Sequence, residues 1–216
     1  MTRWGVTVLL ALAALAGAGR GTEAADARGE FVLRGIGAQS CESGLAMVKA
    51  DQRNAADLAS WITGYVTALN RVTPGTYDLL PITDVTALVQ IVGGMCSASP
   101  RSSMEEVVAR MVQSLSAARI GGASPMVEAS EDGRKVLVRA ATLSAMQRKL
   151  TEARLYKGPV DGQFGDKTSD ALKKYQKRRK LDQTGLPDTR TVLHMLVEPD
   201  DQPSEEAEEK PKKKKR

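Results

Sequence analysis

Apolar residues recur at helical period along most of the chain. Leu58, Trp61, Ile62, Tyr65, Val66 and Leu69 share the i, i+3, i+4, i+7 spacing of one helix face. Val85, Leu88, Val89, Val92, Met95 and Cys96 repeat it after Pro81 and Asp84. Met104, Val107, Val108, Met111, Val112 and Leu115 form a third stripe, preceded by Ser102-Ser103-Met104-Glu105, which has the form of a capping box. These three segments predict a small helical domain. Further on, Leu143, Met146, Leu150 and Ala153 predict one helix, Ala171, Leu172 and Tyr175 a second, and Val192, Leu193 and Leu196 a third. The expected fold class is therefore all-α, with two helical bodies in succession.

The last three helices are joined by glycine-rich turns. Gly158-Pro159 and Asp161-Gly162 are two turn signals in close succession, and the second suits a positive φ at the glycine. Gly165-Asp166 restarts the helix, with Asp166 placed to cap it or to complement its dipole. Asp182-Gln183-Thr184-Gly185-Leu186-Pro187 leads to Asp188, an N-cap candidate for the third helix.

The run Met146-Gln147, Leu150, Leu155-Tyr156-Lys157-Gly158-Pro159-Val160-Asp161-Gly162, Phe164-Gly165, Thr168, Ala171-Leu172, Tyr175-Gln176, Leu181, Thr184-Gly185, Thr191 and Leu196 resembles the bacterial peptidoglycan-binding domain. The resemblance covers about residues 139–197 and includes both loops. It departs from the family at Tyr175, where Phe is frequent, and at Asp166, where Pro is frequent. It implies a three-helix wall-binding module, with peptidoglycan as partner. The polar groups of Tyr156, Asp161, Thr168 and Thr184, with Gly162 and Phe164, are the candidate peptidoglycan-contacting residues. The competing reading assigns the glycines to turn geometry and Phe164 to the core. More loosely, Cys41, the helix with Trp61-Ile62-Thr63-Gly64-Tyr65, and Cys96 followed by Pro100 resemble periplasmic acid-stress chaperones of the HdeA type, over residues 38–116.

The two ends of the chain change the picture. Residues 1–24 start with Arg3 and an apolar run at 4–19, too short for a spanning helix of about 20 residues, and read as a signal peptide. An uncleaved anchor is the alternative. Export to the periplasm, the wall or the medium makes Cys41 and Cys96, the two cysteines of the chain, an expected disulfide. A catalytic thiol would need a His partner, and His194 is the one histidine. Residues 25–116 are then a disulfide-linked helical domain and 135–197 the wall-binding module. Residues 117–134, rich in Ala, Gly and Ser, are expected as a linker, with Val136-Leu137-Val138 a short extended lead-in. Residues 198–216 are expected as a disordered charged tail.

Charge is concentrated rather than spread. Residues 134–197 hold fifteen Lys/Arg against six Asp/Glu, mainly through Lys173, Lys174, Lys177, Arg178, Arg179 and Lys180. A basic surface draws the module toward carboxylate-bearing peptidoglycan stems, although a solvated helix face would look the same. Nucleic acid is not an expected partner, because export opposes it. One histidine cannot supply the ligands of a zinc wall hydrolase, so no metal, cofactor or catalytic residue is expected. A glycosidase needs only carboxylates, and Glu42-Ser43-Gly44 resembles the catalytic segment of lytic transglycosylases without their larger framework. The expectation is a non-catalytic wall-binding protein that anchors the helical domain, which itself meets an unidentified envelope protein. A wall-lytic glycosidase and a periplasmic chaperone or protein-interaction module are the alternatives.

Overall fold

The structure is a computed structural model that describes residue 26 and residues 28–198. Residues 1–24, expected as a signal peptide, and the part of the expected tail beyond Glu198 lie outside the described residues. Residues 1–33 form a unit of their own, in which the Asp26 carboxylate accepts the Arg28 and Glu30 backbone N–H groups. All that follows belongs to the second unit, residues 34–216.

Four helices build its first half: α1 (Cys41–Ala50), α2 (Gln52–Val72), α3 (Val85–Ala98) and α4 (Met104–Leu115). The three apolar stripes become α2, α3 and α4, with Leu58, Ile62, Val92, Met104, Val107 and Val108 fully buried between them. Each such side chain contributes about 1.5–3 kcal/mol of hydrophobic stabilisation. Helix α1 has only Cys41 and Gly44 buried, which is why it left no stripe to recognise. The capping box is one residue later than expected. Ser103 accepts the Glu106 N–H and Glu106 reaches back to the Ser103 N–H. Glu105 instead turns inward and accepts the Tyr65 hydroxyl at 2.8 Å. Burial, and then Glu105 itself, pushes the Tyr65 phenol up to about 12.

Cys41 and Cys96 are joined, with their Cα atoms 5.0 Å apart, which ties the start of α1 to the last turn of α3. The Cys41 and Glu42 N–H groups also donate to the Ser102 and Pro100 carbonyls.

The all-α expectation needs correction. Residues 117–134 carry not a structureless linker but the first strand of a β-hairpin, β1 (Met126–Glu131), paired antiparallel with β2 (Arg134–Arg139). Glu131 stands opposite Arg134, so the connection is the two-residue turn Asp132-Gly133. Both turn residues have positive φ, 48° and 74°, the geometry that suits right-twisted strands and favours Asp-Gly. Ala129 and Val138 point inward and are buried.

The hairpin and the start of the next helix are fixed to the first half by polar contacts. The Arg139 guanidinium donates to Asp78 Oδ2 at 3.0 Å and to the Ser124 carbonyl, and stacks over the Tyr77 ring. Asp78 also takes part in a backbone bridge with Ile120. The Thr83 hydroxyl donates to the Leu137 carbonyl and the buried Thr142 hydroxyl to the Pro81 carbonyl. After β2 come α5 (Ala140–Glu152), α6 (Asp166–Arg178) and α7 (Thr189–Leu196), around Leu143, Met146, Leu150, Leu172 and Val192. No helix among the described residues is long and apolar enough to cross a membrane.

Two measurements test this arrangement. Replacing Cys41 and Cys96 with Ser should cost about 4 kcal/mol in denaturant unfolding, the chain-entropy value for a separation of 55 residues. The second concerns the ion pair between Lys173 of α6 and Glu131 of β1. Its hydrogen bond from Lys173 holds the Glu131 carboxyl below its usual range, and Glu131 raises the Lys173 ammonium. The Glu131 contribution is complete above the ordinary carboxylate pKa and is lost as pH falls through the lowered value. The Lys173 contribution is complete below the ordinary lysine pKa and is lost as pH rises through the raised one. Glu131→Gln should therefore flatten the stability–pH curve at both ends, as followed by unfolding across pH.

Candidate functional site

The site is built on two buried glutamines, one on each of the first two helices of the second half. Gln147 of α5 is fully buried. Its Oε1 accepts the Gly162 N–H at 2.8 Å, and its Nε2 donates to the Gln163 carbonyl at 2.9 Å and to Asp161 Oδ1 at 3.2 Å, with Thr168 Oγ1 at 3.4 Å. Gln176 of α6, also fully buried, repeats the arrangement. Its Oε1 accepts the Gly185 N–H at 2.9 Å, and its Nε2 faces Thr184 Oγ1, Thr191 Oγ1 and the Leu186 carbonyl at 2.8–3.1 Å.

The correspondence runs residue by residue. Asp161-Gly162-Gln163 matches Thr184-Gly185-Leu186, and Thr168 matches Thr191 at the same distance along the chain. Gly165 and Asp188 are the N-caps of α6 and α7, three residues before those threonines. Asp188 caps through its side chain, whereas Gly165 makes no side-chain cap bond and Asp166 occupies the first turn. Gly162 and Gly185 have φ of +71° and +67°. An added Cβ would sit 2.5 Å from the Ala140 carbonyl at the first and 2.5 Å from Ser169 Oγ at the second. Conformation and space both demand glycine at these two points.

The helices also end alike. Past α5, the Leu155 N–H returns to the Leu150 carbonyl, and past α6 the Leu181 N–H returns to the Gln176 carbonyl, each at 2.8 Å. This is the Schellman closure, which places a left-handed residue just before the returning N–H. Glycine is usual there, yet this chain has Arg154 (φ 58°) and Lys180 (φ 57°). A residue with a Cβ pays about 1–2 kcal/mol for that conformation.

Residues 139–195 match the family model described as "Putative peptidoglycan binding domain". The match begins at Arg139, the residue paired with Asp78, and takes in α5, α6, both glutamine-held loops and all but the last residue of α7. No curated protein and no solved structure matches the chain.

Within the matched residues the candidate contact residues differ in exposure. Tyr156 is buried and its hydroxyl donates to the Pro159 carbonyl; Thr168 and Gly162 are also buried, within reach of Gln147. Phe164 is half-buried against the core. Thr184 is half-buried too, donating to Asp188 while accepting from Gln176 and from the Leu186 N–H. Asp161 alone of the six is exposed. The Gln163 N–H holds its carboxyl below the usual range, and Gln147 adds to the effect. The six are thus brought together mostly as parts of the loop scaffolds.

The basic helix face divides as well. Lys173 is paired with Glu131, and Arg179 lies over the Tyr175 ring. Lys174 instead joins Arg154, Lys157 and Lys167 around a cleft of about 440 Å³ beside Tyr156 and Gly158, with Asp170 as its one carboxylate. The three additional cations come from a helix end, a loop and a first turn, so no run in the sequence marked them. Glu42 is exposed in the first turn of α1, beside the disulfide.

The loop chemistry is directly testable. Gly162→Ala should destabilise by about 2–4 kcal/mol, since strain and a clash with backbone combine. Gln176→Leu should cost about 1–3 kcal/mol by stranding the buried Gly185 N–H. Chemical denaturation of the full chain measures both, and a loss under about 0.5 kcal/mol for either, the size of an ordinary surface substitution, would contradict its role in holding the loop.

Proposed function

We propose that this is an exported, non-catalytic peptidoglycan-binding protein that holds its disulfide-linked helical domain at the cell wall. The observation that carries this reading is the family match over residues 139–195, together with the intact pair of glutamine-held loops inside it. Wall contact is made around the first loop, where Asp161 is exposed and Phe164 partly so. Tyr156, Thr168 and Gly162 serve it by keeping that surface in shape, and Thr184 does the same for the second loop. The helical domain is the cargo and supplies the surface for an envelope protein partner. In this reading residues 1–24 direct export and are removed.

The docking of the two halves through Arg139, Asp78, Thr142 and Pro81 supports a carrier in which the cargo is held in place rather than trailed on a flexible tether. The test is sedimentation of the full protein with purified sacculi, with turbidity followed alongside. Pelleting without clearing is the expected result. Clearing would return Glu42 and the other carboxylates to consideration as a lytic pair, and absence of pelleting would remove the wall-binding assignment.

A further inference from the structure

The two repeats of the module carry clefts at equivalent places, and the clefts differ in charge. The first is lined by Arg154, Lys157, Lys167 and Lys174, with Asp170 opposing them. Its counterpart uses Leu181 where the first has Leu155, Asp182 where it has Tyr156, Arg190 where it has Lys167, and Leu193 where it has Asp170. There the wall is completed by α3 of the helical domain, with Asp84 and Gln90, and by Glu198. The second cleft is thus covered on one side by the cargo and is predominantly acidic. The first is open and predominantly basic.

Arg154 sharpens the contrast. It occupies the left-handed position after α5, where glycine would be strain-free, and it lines the first cleft. Lys180, at the same point of the second repeat, is equally strained but does not line the second cleft. The four cations of the first cleft are exposed, and none has an ion pair or side-chain hydrogen bond among the described residues. Their mutual repulsion is relieved by Asp170 alone within the cleft. Cations converging from a strained helix end, a loop and a helix face make a receptor for an anion larger than one carboxylate.

We propose that the cleft formed by Arg154, Lys157, Lys167 and Lys174 binds the carboxylates of the peptidoglycan stem peptide, making the peptide rather than the glycan the recognised part of the wall. This rests on the wall-binding function proposed above and specifies its ligand chemistry. Arg154 acts as the anchoring cation, held at its position in spite of the backbone strain. The second cleft, acidic and walled by α3, does not take the same ligand, so each module binds one stem.

The experiment uses the full protein and three soluble probes: a disaccharide–tetrapeptide, the same compound with its stem carboxylates amidated, and a peptide-free glycan oligosaccharide. Titration calorimetry should show binding of the first that weakens with added salt, a loss of about tenfold or more on amidation, and no binding of the third. Arg154→Gly should raise Tm while weakening stem binding about tenfold, a split that a purely structural role would not produce. Lys180→Gly should raise Tm and leave binding within about twofold. Lys167→Glu, at an exposed position, provides a second binding variant that leaves the fold intact. Equal binding of the amidated or peptide-free probe would overturn the proposal, as would unchanged binding by Arg154→Gly and Lys167→Glu. If the protein pellets with sacculi but fails these arms, wall binding stands and the stem assignment falls. If it does not pellet at all, both fall.

Discussion

A primary amide buried against a reversing backbone is the interaction on which the second half of this protein depends. Each of Gln147 and Gln176 presents an acceptor and two donors from one rigid plane, and each spends them on a loop that has no strand or helix partner of its own. Without that amide the N–H of buried Gly162 or Gly185 would be left without a partner. The loops then position the caps of α6 and α7, and the caps set where those helices begin.

A second polar centre joins the halves. Asp78 receives the Arg139 guanidinium and sits in a backbone bridge with Ile120, while the hairpin that follows is fixed to α6 by Glu131 and Lys173. With Asp78 and Arg139 mostly shielded from water, removing one partner would leave the charge of the other stranded. The helical half and the half that matches the family model therefore belong to one compact unit.

The helices of both halves were readable because each buries one stripe, and the stripes at 58–69, 85–96 and 104–115 became α2, α3 and α4 with only their ends adjusted. Helix α1 was not readable, since its burial is confined to Cys41 and Gly44. Of the hairpin, the extended lead-in at Val136-Leu137-Val138 became part of β2, but β1 and the turn were missed for a different reason. Its signal, Asp132-Gly133 flanked by Val127, Ala129, Val136 and Val138, was present, but Ala, Gly, Ser and charge nearby had the composition of a linker. Position along the chain also concealed the site. Gln147 and Gln176 look like ordinary polar helix residues until their burial is seen. Tyr156 and Thr168 looked like ligand contacts by type, and the structure places both inside, where their hydroxyls serve the loop. The cations around the first cleft are scattered between positions 154 and 174, and only the fold gathers them.

The hairpin grips the helical half through Thr83 and α6 through Lys173. A flexible connection over residues 117–134 would let a tethered domain sweep a radius of about 20–25 Å. Here that slack is taken up by β1, β2 and the Asp78–Arg139 pair. If the matched residues seat on peptidoglycan as proposed, the helical domain is held in a fixed orientation to them. Orientation, and not reach, would then be the means by which the helical domain selects what engages it.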